Sequence, residues 1–273
     1  KSRHRAVTTG AYLKDEETLM EHSKMGHEAE IPPKGTGNHF PNRLHLIRKR
    51  VTDGFPCTRH SHPWIAALFH NYEQHCSGVL VHPQWVLSAA HCWKPSYTVG
   101  LGLHGLHDWY EPGSQMIKAS LSVIHPEYDK SKHANDIMLV KLNTRVVESD
   151  TIRIIPIASQ CPTAGTRCLL AGWGQLLNGY FPLDLHCAVI PLLSDNYCRL
   201  VLDTLYHESI FCAAGEGRKD ACQFDSGGPL ICNGLLQGLV SWGSNPCGIP
   251  GFPGFYTNLC KFKEWIREVI RTR

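Results

Sequence analysis

No stretch of this chain approaches the roughly 20 consecutive apolar residues that cross a bilayer, so no membrane-spanning helix is expected. Cysteine is absent from the first 56 residues, and no Cys-x-x-Cys pair occurs anywhere. Zinc clusters are built from such close ligand pairs, so a structural zinc module is excluded. An excess of one charge is missing too: 27 Lys and Arg face 24 Asp and Glu, a net charge of +3. What excess there is lies in residues 1–50, with ten basic and six acidic side chains, leaving 17 basic and 18 acidic for the rest. Such a balance calls for no nucleic-acid partner, and the basic head reads as a solvated tail. There is no Asn-x-Ser/Thr acceptor, so N-glycosylation is not expected.

What is present is cysteine after residue 56: Cys57, Cys76, Cys92, Cys161, Cys168, Cys187, Cys198, Cys212, Cys222, Cys232, Cys247 and Cys260. The number is even and the spacings are broad, which predicts six disulfides whose pairing the spacing does not choose. Disulfides persist outside the reducing cytosol. A secreted, extracellular protein is therefore expected, although residues 1–50 hold no apolar signal core.

The chain divides at about residue 50. Residues 1–50 are polar, weakly patterned and broken by Ile31-Pro32-Pro33-Lys34-Gly35-Thr36-Gly37, as in a disordered or pro-like lead. From 51 to 273, short apolar runs alternate with turn residues. Strands are predicted at Ile65–Phe69, Gly78–Val81, Trp85–Leu87, Ser120–Ile124, Ile137–Leu142, Cys168–Ala171 and Leu236–Trp242. Many short strands with Gly and Pro between them predict an all-β barrel or sandwich. A single clear helix is expected at the end, where Phe262, Trp265, Ile266, Val269 and Ile270 recur at helical spacing.

Three separated segments carry chemistry: Leu87-Ser88-Ala89-Ala90-His91-Cys92, Asn135-Asp136-Ile137-Met138-Leu139 and Asp225-Ser226-Gly227-Gly228-Pro229. Taken singly, each has a bland reading: a buried histidine beside a disulfide, an acid at a strand end, a serine in a turn. Together they supply His91, Asp136 and Ser226 in one of the known chain orders of a catalytic triad. A serine hydroxyl is a weak nucleophile at neutral pH, and a neutral imidazole in reach can take its proton as attack proceeds. A buried carboxylate fixes the imidazole tautomer and stabilises the imidazolium that forms.

With Val81–Cys92, Ser159–Gly165 and Tyr256–Phe262 added, the chain from residue 51 onward resembles the trypsin/chymotrypsin family and, within it, the secreted kallikrein-related peptidases, the enamel-matrix type above all. That resemblance implies two packed six-stranded antiparallel β-barrels with the active site between them. It implies the pairs Cys57–Cys187, Cys76–Cys92, Cys161–Cys260, Cys168–Cys232, Cys198–Cys212 and Cys222–Cys247. No cofactor is required by it. The partners it implies are protein or peptide substrates, extracellular or matrix proteins among them, an activating protease, and serpin or Kunitz-type inhibitors. The chain itself is expected to be a monomer.

Further residues take roles through the same resemblance. Asp220 matches the acid at the base of a primary pocket, where a carboxylate pairs with a guanidinium or ammonium. Ser241, Gly243 and Gly254 match its walls. Ala221 stands where trypsin has serine, which removes a partner for lysine and implies cleavage after Arg over Lys. Cutting after Arg50 would free the amine of Val51 to pair with Asp225, a buried ion pair suited to a switch. Thr52 puts a hydroxyl where an apolar side chain is usual, implying weaker insertion.

Phe224 is the main departure from the family pattern. The oxyanion hole would use the backbone N–H groups of Ser226 and Phe224, and position 224 is normally glycine. A residue with a Cβ reaches glycine-like conformations only with strain. Three outcomes stay open: a slowed and selective protease whose Phe224 ring crowds the leaving-group side, a near-normal one, or a non-catalytic homologue that acts by binding. Finally, His60 and Glu111 match positions that hold an inhibitory surface zinc in enamel-type members, although two ligands make an incomplete site.

Overall fold

The computed structural model describes residues 54–106, 111–176, 178–214, 217 and 219–273. Arg50, Val51 and the lead segment lie outside the described residues. Seven strands come first: β1 (Phe55–Pro56), β2 (Ile65–His70), β3 (Glu73–His82), β4 (Trp85–Ser88), β5 (Thr98–Leu101), β6 (Gln115–Ile124) and β7 (Met138–Leu142). All but β1 form a closed antiparallel barrel in the order β2-β3-β4-β7-β6-β5. Asn71 and Tyr72, both at positive φ (50° and 70°), make the two-residue turn joining β2 to β3. Such turns match the right-handed twist of the strands they join.

The second sheet is built from β8 (Arg167–Gly172), β9 (His186–Pro191), β10 (Ile210–Ala213), β11 (Pro229–Cys232), β12 (Leu235–Trp242) and β13 (Gly254–Asn258). Its order is β1-β9-β8-β11-β12-β13-β10, so the short β1 makes it seven-stranded rather than six. Its two ends meet. Leu192, just past β9, bridges Ala213 of β10, with Leu193 N–H donating to the Cys212 carbonyl at 3.0 Å and Ala214 N–H to that of Pro191 at 3.3 Å. Asn233 and Gly234, at φ 51° and 77°, close the β11–β12 hairpin.

Several strands are apolar on both faces because each face meets a different core. In β2, Ala66 and Leu68 point into the first barrel. Ile65, Ala67 and Phe69 pack with Ala171, Trp173 and Cys187 of the other sheet. In β4, Val86 points inward, while Trp85 and Leu87 join Leu236, Leu239, Phe262 and Ile266. The two-residue period of a strand thus divides one run of apolar residues between a barrel interior and the seam where the sheets meet. That seam positions the site.

The expected C-terminal helix is present as α2 (Lys263–Thr272), with Ile266 and Val269 buried against the seam. A second helix, α1 (Asp195–Leu202), corrects the expectation of one. Its eight residues bury only Cys198 and Leu202, too short a stripe to show in the pattern. Local bonds hold it: the Ser194 hydroxyl accepts from Tyr197 N–H at 3.2 Å, and Arg199 pairs with Asp195 at 2.7 Å. Six disulfides join Cys57 to Cys187, Cys76 to Cys92, Cys161 to Cys260, Cys168 to Cys232, Cys198 to Cys212 and Cys222 to Cys247.

Candidate active site

His91 lies in a short helical turn that follows β4, tethered by the neighbouring Cys76–Cys92 bridge. Asp136, 1% exposed, precedes β7. The pairing of β4 with β7 brings the two together across the first barrel. His91 Nδ1 stands 2.7 Å from Asp136 Oδ2, and the His91 backbone N–H donates to Oδ1 at 2.9 Å. The Ser241 hydroxyl of β12 donates to Oδ2 at 2.5 Å, and the Thr257 hydroxyl of β13 to the Asp136 carbonyl at 2.7 Å. Burial alone would raise this carboxyl's pKa. The bonds from His91 and Ser241 outweigh it and hold the group ionised, below the usual carboxylate range. An ionised Asp136 requires the proton on His91 Nδ1, which leaves the Nε2 lone pair free as a base.

Ser226 sits in the turn before β11, a backbone shape set by Gly227 at φ 78°. A Cβ at Gly227 would stand 2.1 Å from Ser88 Oγ and 2.5 Å from the Ser77 carbonyl, so only glycine fits there. The Ser77 N–H donates to the Ser226 carbonyl at 2.8 Å, tying this turn of the second sheet to the first barrel. Ser226 and His91 line one cavity of about 250 Å³, together with His133, Ala221, Trp242 and Gly243. Their side chains share no direct hydrogen bond; in unliganded sites such bonds are often long and tighten with substrate.

Phe224 adopts φ 74°, the left-handed region that glycine favours. Its carbonyl accepts from the Ser77 hydroxyl at 3.1 Å, and the Gln223 carbonyl accepts from Gln175 N–H at 3.0 Å. In a planar trans peptide the Phe224 N–H points opposite to the Gln223 carbonyl. Among the described residues, neither the Phe224 nor the Ser226 N–H has a protein acceptor. The ring does not reach into the Ser226 cavity. It packs edge-on against Phe181, with centroids 5.1 Å apart, and lines a separate cavity.

Asp220, 4% exposed, lies behind the glycine wall of the first cavity. A Cβ at Gly254 would stand 2.7 Å from its Oδ1, and one at Gly243 would stand 3.7 Å from Oδ2. Burial raises its pKa to about 6, against the pull of N–H bonds from Gly248 and Ala221. Asp225 is fully enclosed. It accepts from Gly174 N–H at 2.7 Å and Cys222 N–H at 3.0 Å. Burial raises its pKa to about 6 as well, and no cation among the described residues offsets it.

The zinc expected at His60 and Glu111 finds no third ligand beside them among the described residues. Both Glu111 oxygens are engaged, by the N–H groups of His104 (3.1 Å) and Gly105 (2.7 Å) and by Arg59 (3.1 Å). Among the described residues, no grouping of three candidate ligands contains either residue. One grouping that does occur, His91 with His133 and Asp136, reuses side chains already placed in the site. His133 escaped the sequence reading. Its ring stacks on Trp242 at 5.5 Å and meets His91 edge-on at 6.3 Å. Among 17 histidines, nothing local marked it.

The family model for trypsin matches residues 51–266. Human kallikrein-4 is 60% identical over 223 residues, covering 81% of this chain and 88% of the relative. Human kallikrein-5 is 47% identical over 225 residues, covering 81% and 77%. Among solved structures, neuropsin, described as a serine protease expressed in the limbic system of mouse brain, superposes with a TM-score of 0.76 at 41% identity. That match covers 80% of this chain and 99% of the other. The chain therefore belongs to the trypsin family and is a serine endopeptidase of chymotrypsin-like fold. Within that family it is kallikrein-related.

Proposed function

We propose a secreted endopeptidase that cuts extracellular or matrix proteins after Arg, formed from a zymogen by cleavage at Arg50–Val51. The observation that carries the reading is the buried, ionised Asp136 at 2.7 Å from His91, facing the cavity that also holds Ser226 and abuts Asp220. His91 Nε2 removes the Ser226 proton as Oγ attacks the carbonyl carbon, and Asp136 stabilises the imidazolium. The carbonyl oxygen, now negative, takes hydrogen bonds from the N–H groups of Phe224 and Ser226. The C–N bond breaks as His91 returns the proton to the departing amine, leaving an acyl ester on Ser226. Water repeats the sequence, with His91 taking its proton, and frees the acid. No cofactor enters.

Asp220 supports Arg at the cut, since its carboxylate sits where a guanidinium threading the glycine wall would end. Ala221 offers no hydroxyl to a lysine ammonium, which favours Arg over Lys. For activation, Asp225 is a buried acid that meets no cation among the described residues, and the trypsin match begins at Val51. The freed amine would supply the missing charge. An activating protease and serpin or Kunitz-type inhibitors are the partners this cycle implies.

A rival reading makes the chain a non-catalytic binding homologue, and the strained Phe224 favours it. A fluorophosphonate probe separates the two. Labelling at Ser226 should be weak before limited trypsin treatment and strong after cleavage at Arg50–Val51. Cut protein that stays unlabelled would leave the binding homologue as the better account.

A further inference from the structure

We propose that Phe224 and Phe181 build a second specificity subsite, which takes a large apolar side chain from the part of the substrate that departs with the leaving amine. This rests on the proteolytic reading above. A cavity of about 350 Å³ is lined by Phe224, Phe181, Trp173, Leu106, Pro182 and Leu183, with Glu73 and Gln74 of β3 at its edge. It shares no lining residue with the cavity of His91 and Ser226. Phe224 stands two residues before Ser226, so the turn that carries the nucleophile separates the two hollows. The acyl half of a substrate belongs to the first, where Asp220 and the Ser241–Gly243 segment lie. A chain extended across Ser226 leaves on the other side, past Phe224.

The wall between the hollows is fixed. Ser77 of β3 holds both carbonyls, that of Ser226 through its N–H at 2.8 Å and that of Phe224 through its hydroxyl at 3.1 Å. The left-handed backbone at Phe224 turns its ring away from the first cavity and onto Phe181. The segment bearing Phe181 is held at both ends, by Leu176 N–H to the Tyr180 carbonyl at 2.9 Å and Leu106 N–H to that of Leu183 at 3.2 Å. Phe181 remains 50% exposed and Leu183 69% exposed, an uncovered apolar surface at this second cavity. Extended chain advances about 3.3 Å per residue with alternating faces, so the occupant is one of the first three residues after the cut. Glycine at 224 would remove one aromatic wall. The departure from the family pattern thus adds binding surface on the leaving side. Glu73 at the edge disfavours an acidic occupant.

The test uses the chain cut at Arg50–Val51 and peptides that share one acyl half ending in Arg. Each of the first three positions beyond the cut is varied among Gly, Leu, Phe and Asp, and an Arg anilide with no leaving peptide serves as reference. Leu or Phe at one position should raise kcat/KM about tenfold over Gly, and Asp should lower it. Phe181→Ala should remove most of that preference while leaving anilide turnover unchanged. A flat profile at all three positions, or a preference that survives both Phe181→Ala and Phe224→Gly, overturns the proposal. An anilide left uncleaved would instead overturn the proteolytic reading on which it stands.

Discussion

Asp220 and Phe224 show how much one side chain's surroundings decide. A carboxyl with its pKa raised to about 6 by burial is half protonated near that pH. Benzamidine, an aromatic amidinium that needs no proton from His91, reads this directly. Its inhibition constant should be flat above pH 7 and rise about tenfold per pH unit well below 6, because protonation removes the charge it pairs with. A constant that does not change down to pH 5 would show that Asp220 is not the partner. At Phe224 the strain belongs to the Cβ and not to the ring. Phe224→Gly should therefore be more stable than Phe224→Ala by about 1 kcal/mol in denaturant unfolding, since only the alanine meets the left-handed penalty. Under the oxyanion role proposed above, the wild-type backbone already presents the Phe224 N–H, so Phe224→Gly should change anilide turnover by less than about tenfold, short of the cost of a lost oxyanion donor.

At the scale of elements, loops carry the chemistry and strands aim them. The turn from Asp225 to Gly228 works because glycines around it leave room. A Cβ at Gly174 would lie 2.2 Å from Asp225 Oδ2, and one at Gly172 would lie 1.9 Å from Oδ1. Gly174→Ala should therefore displace Asp225 and the turn behind it, and Ser226 labelling by the fluorophosphonate should fall at least tenfold. Helix α1 is capped by the Ser194 hydroxyl and buries Cys198 and Leu202. Ser194→Ala should cost about 1 kcal/mol of stability without altering turnover, since α1 lines no part of the cavity of His91 and Ser226.

For the whole molecule, the enclosed Asp225 links proton binding to folding and, under the activation proposed above, to cleavage at Arg50–Val51. Its pKa is about 6 in the fold, against an ordinary value near 4, so the folded state binds the proton more tightly. The stability this group contributes is present below the unfolded value and is lost as pH rises through 6. The loss is on the order of 3 kcal/mol by pH 8 in the uncut chain. Uncut Asp225→Asn should consequently melt above the uncut parent at pH 8, and the gap should close near pH 4. After cleavage at Arg50–Val51 the order should reverse, because a paired carboxylate favours the fold where a lone one opposes it. Equal melting curves for parent and variant at pH 8 would remove Asp225 from the switch.

Parts of this were legible in the chain itself. Runs such as Ile65–Phe69 and Trp85–Leu87 marked strands, because β-branched, aromatic and aliphatic residues bounded by turns have few other stable uses. The segments around His91, Asp136 and Ser226 stood out in the sequence, and the structure sets His91 2.7 Å from Asp136 and lines one cavity with His91 and Ser226. Other features were not legible. Strands β5 and β13 are short and mixed in composition, and pairing with neighbours supplies what their own residues do not. His133 beside His91, and the bond from Ser241 to Asp136, join residues that only the closed barrels bring together. Amino-acid order determined the local shapes, the cysteine complement and which groups could react. The tertiary structure decided which faces of each strand met which core, where the Phe224 ring turned and which acids lost their water. Burial and long-range pairing are properties of the assembled barrels, and no short segment contains them.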